Sequence, residues 1–190
     1  MPRKPDPTLR PAIVTKVARH LRDTKLENVS VRSLGRVLGT SAYPIVYHFG
    51  SRDALLQAVV DHLDAPVADA TLEPGADVAD LADYLVTVFG RLDDPDRCLA
   101  ARLVFELGSV EALDGRDRER TFQREQIAAL TAWCTAHGHH PDEAERVARG
   151  VVLAARGAQW GAVVDTSVDA DAALREIAAQ LASGARFATV

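Results

Sequence analysis

The segment between residues 30 and 52 carries side chains suited to hydrogen bonding with a polyanion. Arg32 and Arg36 bring fixed positive charges, while Tyr43, Tyr47 and His48 bring hydroxyl and ring N–H donors. Donors of this kind bind phosphate oxygens and the edges of bases. The sequence has no phosphate-cradling glycine loop, no dinucleotide-binding glycine pattern and no nucleophile elbow, so we do not expect an enzyme.

The charges of the chain are divided unevenly along its length. Residues 1–52 hold ten Lys or Arg and three Asp or Glu, a net charge of +7, whereas the other 138 residues carry a net charge of −12. This asymmetry predicts a basic part that meets nucleic acid and an acidic part that does not. Chance clustering of charges is the alternative.

Cysteine and histidine usage gives no sign of a disulfide framework or a cofactor. Cys98 and Cys134 are the only cysteines, too few for such a framework in a chain of 190 residues. His137, His139 and His140 are the one cluster worth testing for metal, but no thiol or carboxylate stands at ligand spacing. We expect no metal and no cofactor.

No segment resembles an export signal or a membrane span. Residues 1–11 are polar and rich in proline, and residues 1–7 are expected to form a flexible basic arm. The most apolar stretch, residues 147–164, is interrupted by Arg149 and Arg156. We expect a cytoplasmic protein without a membrane partner.

The elements around residues 30–52 have the layout of a helix-turn-helix. Apolar spacing predicts a first helix over residues 8–23 and a second over 30–38, capped by Ser30. Gly39 then supplies a turn residue that tolerates positive φ, and Thr40 or Ser41 caps a third helix that ends at Gly50. Gly35, in the middle of the second helix, costs about 1 kcal/mol in helix propensity and is expected to let the third helix cross closely.

The rest of the chain is also helical in pattern, with no sustained alternation of a strand. Ser51 caps a fourth helix that reaches about Ala65. Further helices are predicted over residues 74–91, 94–108, 115–137, 141–165 and 169–184. The predicted fold is therefore all-α, with a three-helix helix-turn-helix head at residues 1–50 and a helical body at residues 51–190.

Residues 39–60 resemble the DNA-binding head of TetR-family regulators. That family shows a glycine turn, a short recognition helix ending in Tyr-x-His-Phe, a small polar pair with lysine, and a Leu-Leu pair. Here the run from His48 to Leu56 reads His-Phe-Gly-Ser-Arg-Asp-Ala-Leu-Leu. Val46 stands where the family usually has tyrosine, Arg52 replaces the lysine, and Thr40 replaces a valine.

The resemblance implies which residues meet DNA, with Arg32 reading a guanine and Arg52 clamping a phosphate. The predicted DNA-binding residues are Arg32, Ser33, Arg36, Thr40, Ser41, Ala42, Tyr43, Pro44, Tyr47, His48 and Arg52. Ala42 and Pro44 are expected to contact thymine methyl groups, and Tyr47 and His48 phosphates. The alternatives are solvated arginines, a capping or core His48, a half-buried Tyr47, and an Ala42–Pro44 pair that only starts a helix.

The resemblance also implies that the last two helices pair in a homodimer and that the body holds a small-molecule pocket. The predicted interface comprises Gly150, Ala154, Gly157, Ala158 and Gly161 with Leu174, Ile177 and Leu181. The predicted pocket comprises Leu85, Phe89, Phe105, Trp133 and Trp160. For both sets the alternative is an intramolecular core.

The function that the resemblance implies is a ligand-responsive transcriptional regulator, most simply a repressor. It would bind a palindromic operator in double-stranded DNA as a homodimer and respond to an unidentified small-molecule effector. The alternative is a helical small-molecule binding or carrier protein whose head no longer binds DNA.

Overall fold

A computed structural model describes residues 8–184, and all regular secondary structure in that range is helical. The predicted arm at residues 1–7 lies outside the described residues. Among these described residues, nine α-helices follow one another: α1 (Leu9–Leu21), α2 (Val31–Leu38), α3 (Tyr43–Phe49), α4 (Arg52–Ala68), α5 (Val78–Phe89), α6 (Pro95–Leu113), α7 (Arg118–Ala136), α8 (Pro141–Val164) and α9 (Ala170–Ala182). A short 3-10 turn over Leu26–Asn28 connects α1 to α2. The all-α prediction is confirmed.

The chain divides into two compact units, with the boundary between Ala65 and Pro66. The sequence placed the end of the head near residue 50. In the structure, α4 belongs to the first unit up to Ala65, and Leu55, Leu56, Val59 and Val60 on this helix are buried.

The first unit is built from α1 to α4 around a small apolar core. Val17 and Leu21 of α1, Leu34 of α2 and Ile45 of α3 are almost fully buried. These residues are the inward positions that the helical spacing predicts. The short helices α2 and α3 thus each contribute one fully buried large side chain, while Val37, Leu38 and Phe49 are half-buried beside the core.

Local capping chemistry sets most of the helix boundaries. Asp94 accepts hydrogen bonds from two backbone N–H groups at the start of α6, and Pro95 opens this helix as predicted. The predicted start of α5 at residue 74 is four residues early, because the Asp77 side chain accepts from the N–H of Asp80 and caps a helix beginning at Val78. α6 runs on to Leu113, beyond Gly108.

The second unit holds the larger core, formed by α5, α7, α8 and α9. Phe89, Trp133 and Leu174 are buried in it, together with the alanines that line α8. The indole N–H of Trp133 donates to the carbonyl oxygen of Ala76 at 2.8 Å, which fixes the segment before α5 against this core. No helix within residues 8–184 combines the length and the apolar character that crossing a membrane requires.

Buried polar groups also join the helices of the second unit. Arg156 of α8 forms an ion pair with Glu119 of α7 at 2.7 Å and lies over the rings of Phe89 and Phe122. Gln159, one turn later, donates to the carbonyl oxygen of Phe89 at 3.0 Å. These contacts connect α5, α7 and α8 at one place.

Candidate nucleic-acid interface

Two glycines and a capping box fix α3 against α2. Ser30 and Ser33 exchange side-chain to backbone hydrogen bonds at 2.8 and 3.0 Å, which starts α2 at the predicted residue. Gly39 ends it with φ of 72°, in the left-handed region that the turn requires. A Cβ added at Gly35 would lie 3.1 Å from the Ser41 carbonyl carbon and the Thr40 oxygen. The backbone that approaches Gly35 closely thus belongs to the turn at residues 40–42, just before α3, rather than to the helix itself.

α3 presents an aromatic edge to solvent. Tyr43 is 69% exposed and Tyr47 is 58% exposed, one helical turn apart. Their rings stack with centroids 5.7 Å apart and planes inclined by 23°. His48, half-buried, meets the Tyr47 ring edge-on at 4.9 Å. Among residues 8–184, no group forms a hydrogen bond with either tyrosine hydroxyl, so both hydroxyls can donate to an external acceptor.

Two arginines of α2 add positive charge to the same unit. Arg32 and Arg36 lie four residues apart, so both project from one side of the helix. Both are exposed, and within residues 8–184 no hydrogen bond or ion pair engages either guanidinium. Each keeps its five donors for a phosphate or a base edge.

Two of the predicted contact residues are already engaged within the unit. The Ser33 hydroxyl completes the capping box of α2. Arg52 donates from Nε to the carbonyl oxygen of Val29 at 2.7 Å and from Nη2 to that of Leu26 at 2.9 Å. Its third nitrogen, Nη1, pairs with Asp53. In this structure Arg52 is a positioning residue that ties the α1–α2 connection to the start of α4, and its role as a phosphate clamp stays a prediction.

The other predicted contact residues surround the start of α3. Thr40 and Ser41 are exposed, while Ala42 and Pro44 are half-buried. The sequence predicts Thr40 or Ser41 as the N-cap of α3, but in the structure Ala42 occupies that position. Ser41 Oγ accepts a hydrogen bond from the N–H of Tyr43 at 3.3 Å. Ala42 and Pro44 are thus less open to a ligand than Tyr43.

Two features of this surface are missing from the sequence prediction. The guanidinium of Arg10 in α1 lies 5.2 Å from the centre of the Phe49 ring and so braces the end of α3. No spacing rule could have linked residues 39 positions apart. Val46 is 52% exposed, beside the two tyrosines. The position of Val46 in the sequence could have predicted this exposure. A helix buries only one side, and Val46 lies between buried Ile45 and exposed Tyr47.

The five predicted pocket residues fall into two groups. Leu85, Phe89 and Trp133 are buried in the core of the second unit, whereas Phe105 packs on the exposed ring of Trp160 at 4.6 Å. A cavity of about 540 Å³ instead lies between residues 70–76 and α5, where Asp80, Tyr84 and Thr87 line it. A second, of about 650 Å³, lies beside the α8–α9 connection. None of the five residues lines either cavity.

The predicted interface residues fall into two groups. Leu174, Ile177 and Leu181 of α9 are buried in the core of the second unit, because α9 packs on α5 and α8. For these three residues, this placement corresponds to the alternative of an intramolecular core. The small residues of α8 are half-buried or exposed: Gly150, Ala154, Gly157, Ala158 and Gly161.

The histidine cluster is part of a helix end. The ring of His137 stacks on Trp133 at 3.8 Å, and its Nδ1 lies 2.9 Å from the Trp133 carbonyl oxygen. His140 lies 4.0 Å from a carboxylate oxygen of Asp142. Across the described chain, His, Cys, Asp and Glu side chains form no group of three that could hold a metal ion.

Comparison with solved structures shows what fold these elements form. A transcriptional regulator from Rhodococcus sp. Rha1 superposes with a TM-score of 0.74 over 92% of this chain and 96% of its own, at 20% sequence identity. A TetR transcription regulator from Haloarcula marismortui ATCC 43049 superposes with a TM-score of 0.68 over 93% of this chain and 97% of its own, at 19% identity.

The chain has the TetR fold. The predicted fold class, with its helix-turn-helix near the N-terminus, is thereby confirmed. The names of both neighbours describe those proteins as transcription regulators. Neither the protein-family models nor the curated proteins include a match to the sequence.

Proposed function

We propose that the protein is a ligand-responsive transcriptional repressor of the TetR type, which binds a palindromic DNA operator as a homodimer. The observation that carries the proposal is one small unit with two unengaged arginines on α2 and two exposed, stacked tyrosines on α3. They suit a duplex, whose phosphates attract arginine and whose major groove admits a helix.

The division of work between the two helices follows from their side chains. Arg32 and Arg36 can pair in bidentate fashion with a phosphate or with guanine O6 and N7. Tyr43 and Tyr47 can donate single hydrogen bonds and offer ring surface. A short helix whose outer residues contact base edges, beside a helix that neutralises phosphates, is the arrangement of helix-turn-helix proteins.

Dimerisation is supported by an apolar face of α8. Leu153, Trp160 and Val164 are exposed on this helix, and Gly157 lies among them. These positions recur every three or four residues and so form one stripe. A tryptophan and two aliphatic side chains in water mark a contact surface, and Gly157 allows a second helix to approach closely. We assign this stripe to the homodimer, in place of the buried leucines of α9.

The dimer is tested by sedimentation of the purified protein. Leu153→Asp places a charge in the apolar stripe, and we expect the wild-type dimer to become a monomer. Leu113→Asp, at an exposed leucine at the end of α6, is the matched control and should remain dimeric. A wild-type monomer at micromolar concentration would contradict the assignment.

Effector binding is supported by the cavities of the second unit. A volume of about 540 Å³ suits a small organic molecule. The helix α4 contains residues of both units, so it is the covalent connection through which an effector could bias DNA binding. In this proposal the effector shifts the population of dimer conformations away from the one that fits the operator, in the cytoplasm.

DNA binding is tested by letting the protein select sequences from a pool of random 30-base-pair duplexes. We expect an enriched inverted repeat, since a two-fold dimer reads two equal half-sites. Titration of the selected duplex should give saturable binding with two chains per site. A pool that remains random after repeated selection would contradict the proposal and favour a helical carrier protein.

A further inference from the structure

The outer edge of α3 is a continuous apolar and aromatic surface. Tyr43, Val46 and Tyr47 stand at positions i, i+3 and i+4, so they form one stripe, which we call the α3 strip. All three side chains are more than half exposed, and the two rings are stacked on each other. Ile45 alone supplies the buried contact of this helix. More than half of each of these three side chains is therefore left open to a ligand.

The residue types of α3 limit what it can read in DNA. The helix is Tyr-Pro-Ile-Val-Tyr-His-Phe and holds no Arg, Lys, Asn, Gln, Asp or Glu. These six residue types make the bidentate or paired hydrogen bonds that distinguish bases in the major groove, and an apolar side chain instead contacts the C5-methyl group of thymine. Tyrosine adds single hydrogen bonds and an apolar ring face.

We propose that the α3 strip recognises its operator through thymine C5-methyl groups, with Val46 as a specificity-determining residue. This inference rests on the proposed function and adds the chemistry of the half-site. Each half-site presents at least two thymines to Tyr43, Val46 and Tyr47. Any guanine in it is read by Arg32 or Arg36 of α2, whose guanidinium groups are exposed.

The inference is tested with uracil, which differs from thymine only by the missing methyl group. The duplex selected by the protein is synthesised again with deoxyuridine in place of each half-site thymidine, singly and together. Losing a buried methyl contact should weaken binding about fourfold per position. Base pairing and the phosphates are unchanged, so a loss reports the methyl group. Equal affinity for the fully substituted duplex would overturn the inference.

Variants of the protein assign the methyl groups to side chains. Val46→Ala removes two methyl groups from an exposed side chain, so the fold should be retained, as circular dichroism would verify. For this variant, uracil at one position of each half-site should cause no further loss, because the two changes remove the same contact. Leu9→Ala, at an exposed leucine of α1, should keep the wild-type ratio between thymine and uracil.

The outcomes separate this inference from the proposed function. An enriched palindrome that binds equally well with uracil contradicts thymine recognition and leaves the regulator intact. A pool without enrichment contradicts both. Two results together support both proposals. The wild type binds an enriched palindrome and binds its uracil form weakly, and in Val46→Ala the loss of affinity caused by uracil at one position of the half-site disappears.

Discussion

The two units of the chain use arginine in opposite ways. In the first unit, Arg32 and Arg36 stand in water with no partner among the described residues. In the second unit, Arg97 donates to the carbonyl oxygens of Thr87 and Val88, and Arg156 pairs with Glu119 between two phenylalanine rings. The same side chain thus holds helices together in one unit and remains free to bind in the other.

This difference shows why net charge alone is a poor guide to the function of the chain. The total charge of −5 would argue against a nucleic-acid ligand. What matters is which charges are already neutralised, because a paired arginine adds little to the field outside the protein. Carboxylates of the acidic second unit pair with several of its own arginines, whereas no ion pair among residues 8–184 involves Arg32 or Arg36.

The largest effect is expected from breaking the arginine contacts of the second unit. Arg156→Ala leaves Glu119 without its partner in a mostly buried place, so we expect the free energy of unfolding to fall by about 3 kcal/mol. Chemical denaturation measures this. Arg149→Ala, which breaks the exposed pair with Glu145, should cost at most about 0.5 kcal/mol. Equal losses in the two variants would contradict the structural role of Arg156.

The free arginines of the first unit should show the reverse behaviour. Arg32→Ala should weaken binding to the selected duplex by about ten- to a hundredfold, the effect of losing a bidentate contact, and leave the unfolding free energy almost unchanged. Fluorescence anisotropy measures the affinity. Arg120→Ala, at an exposed arginine of α7, is the control and should bind as the wild type does. If the Arg32→Ala variant kept the wild-type affinity, Arg32 would be a solvated surface residue without a role in DNA binding.

Arg52 lies in the first unit, but its guanidinium donates hydrogen bonds to backbone carbonyls, as that of Arg97 does in the second unit. Arg52→Ala removes two hydrogen bonds to backbone carbonyls and should lower the unfolding free energy by about 2 kcal/mol. Arg52→Lys keeps the charge but cannot reach both carbonyls, so it should lose about half as much. If Arg52→Lys had full stability, the positive charge of Arg52, rather than the several N–H donors of its guanidinium, would be what stabilises the unit.

The fold could be predicted from sequence because its signals are local. Ser30, Gly39, Asp94 and Pro95 act within a few residues of their own position, and the structure places all four at helix ends as expected. The start of α5 was misplaced because Pro74 and Asp77 are both plausible start signals. Only the hydrogen bond from the N–H of Asp80 to the Asp77 side chain distinguishes them.

The candidate site was predicted less completely because its side chains depend on distant partners. Arg52 reads as an exposed cation in the sequence, and its two carbonyl partners lie 23 and 26 residues earlier. The buried state of Leu174 and Leu181 likewise depends on the packing of α9 against α5. Helical periodicity identifies an apolar face but not the surface that will cover it.

The most direct test of the account is the salt dependence of binding to the selected duplex. For the wild type, the logarithm of the association constant should fall linearly with the logarithm of salt concentration, with a slope of about −0.9 for each phosphate contact. The Arg32→Ala/Arg36→Ala double variant should give a clearly shallower line, whereas Arg120→Ala should not. A wild-type affinity that is independent of salt, or a double variant with the wild-type slope, would contradict the claim that these free arginines bind DNA.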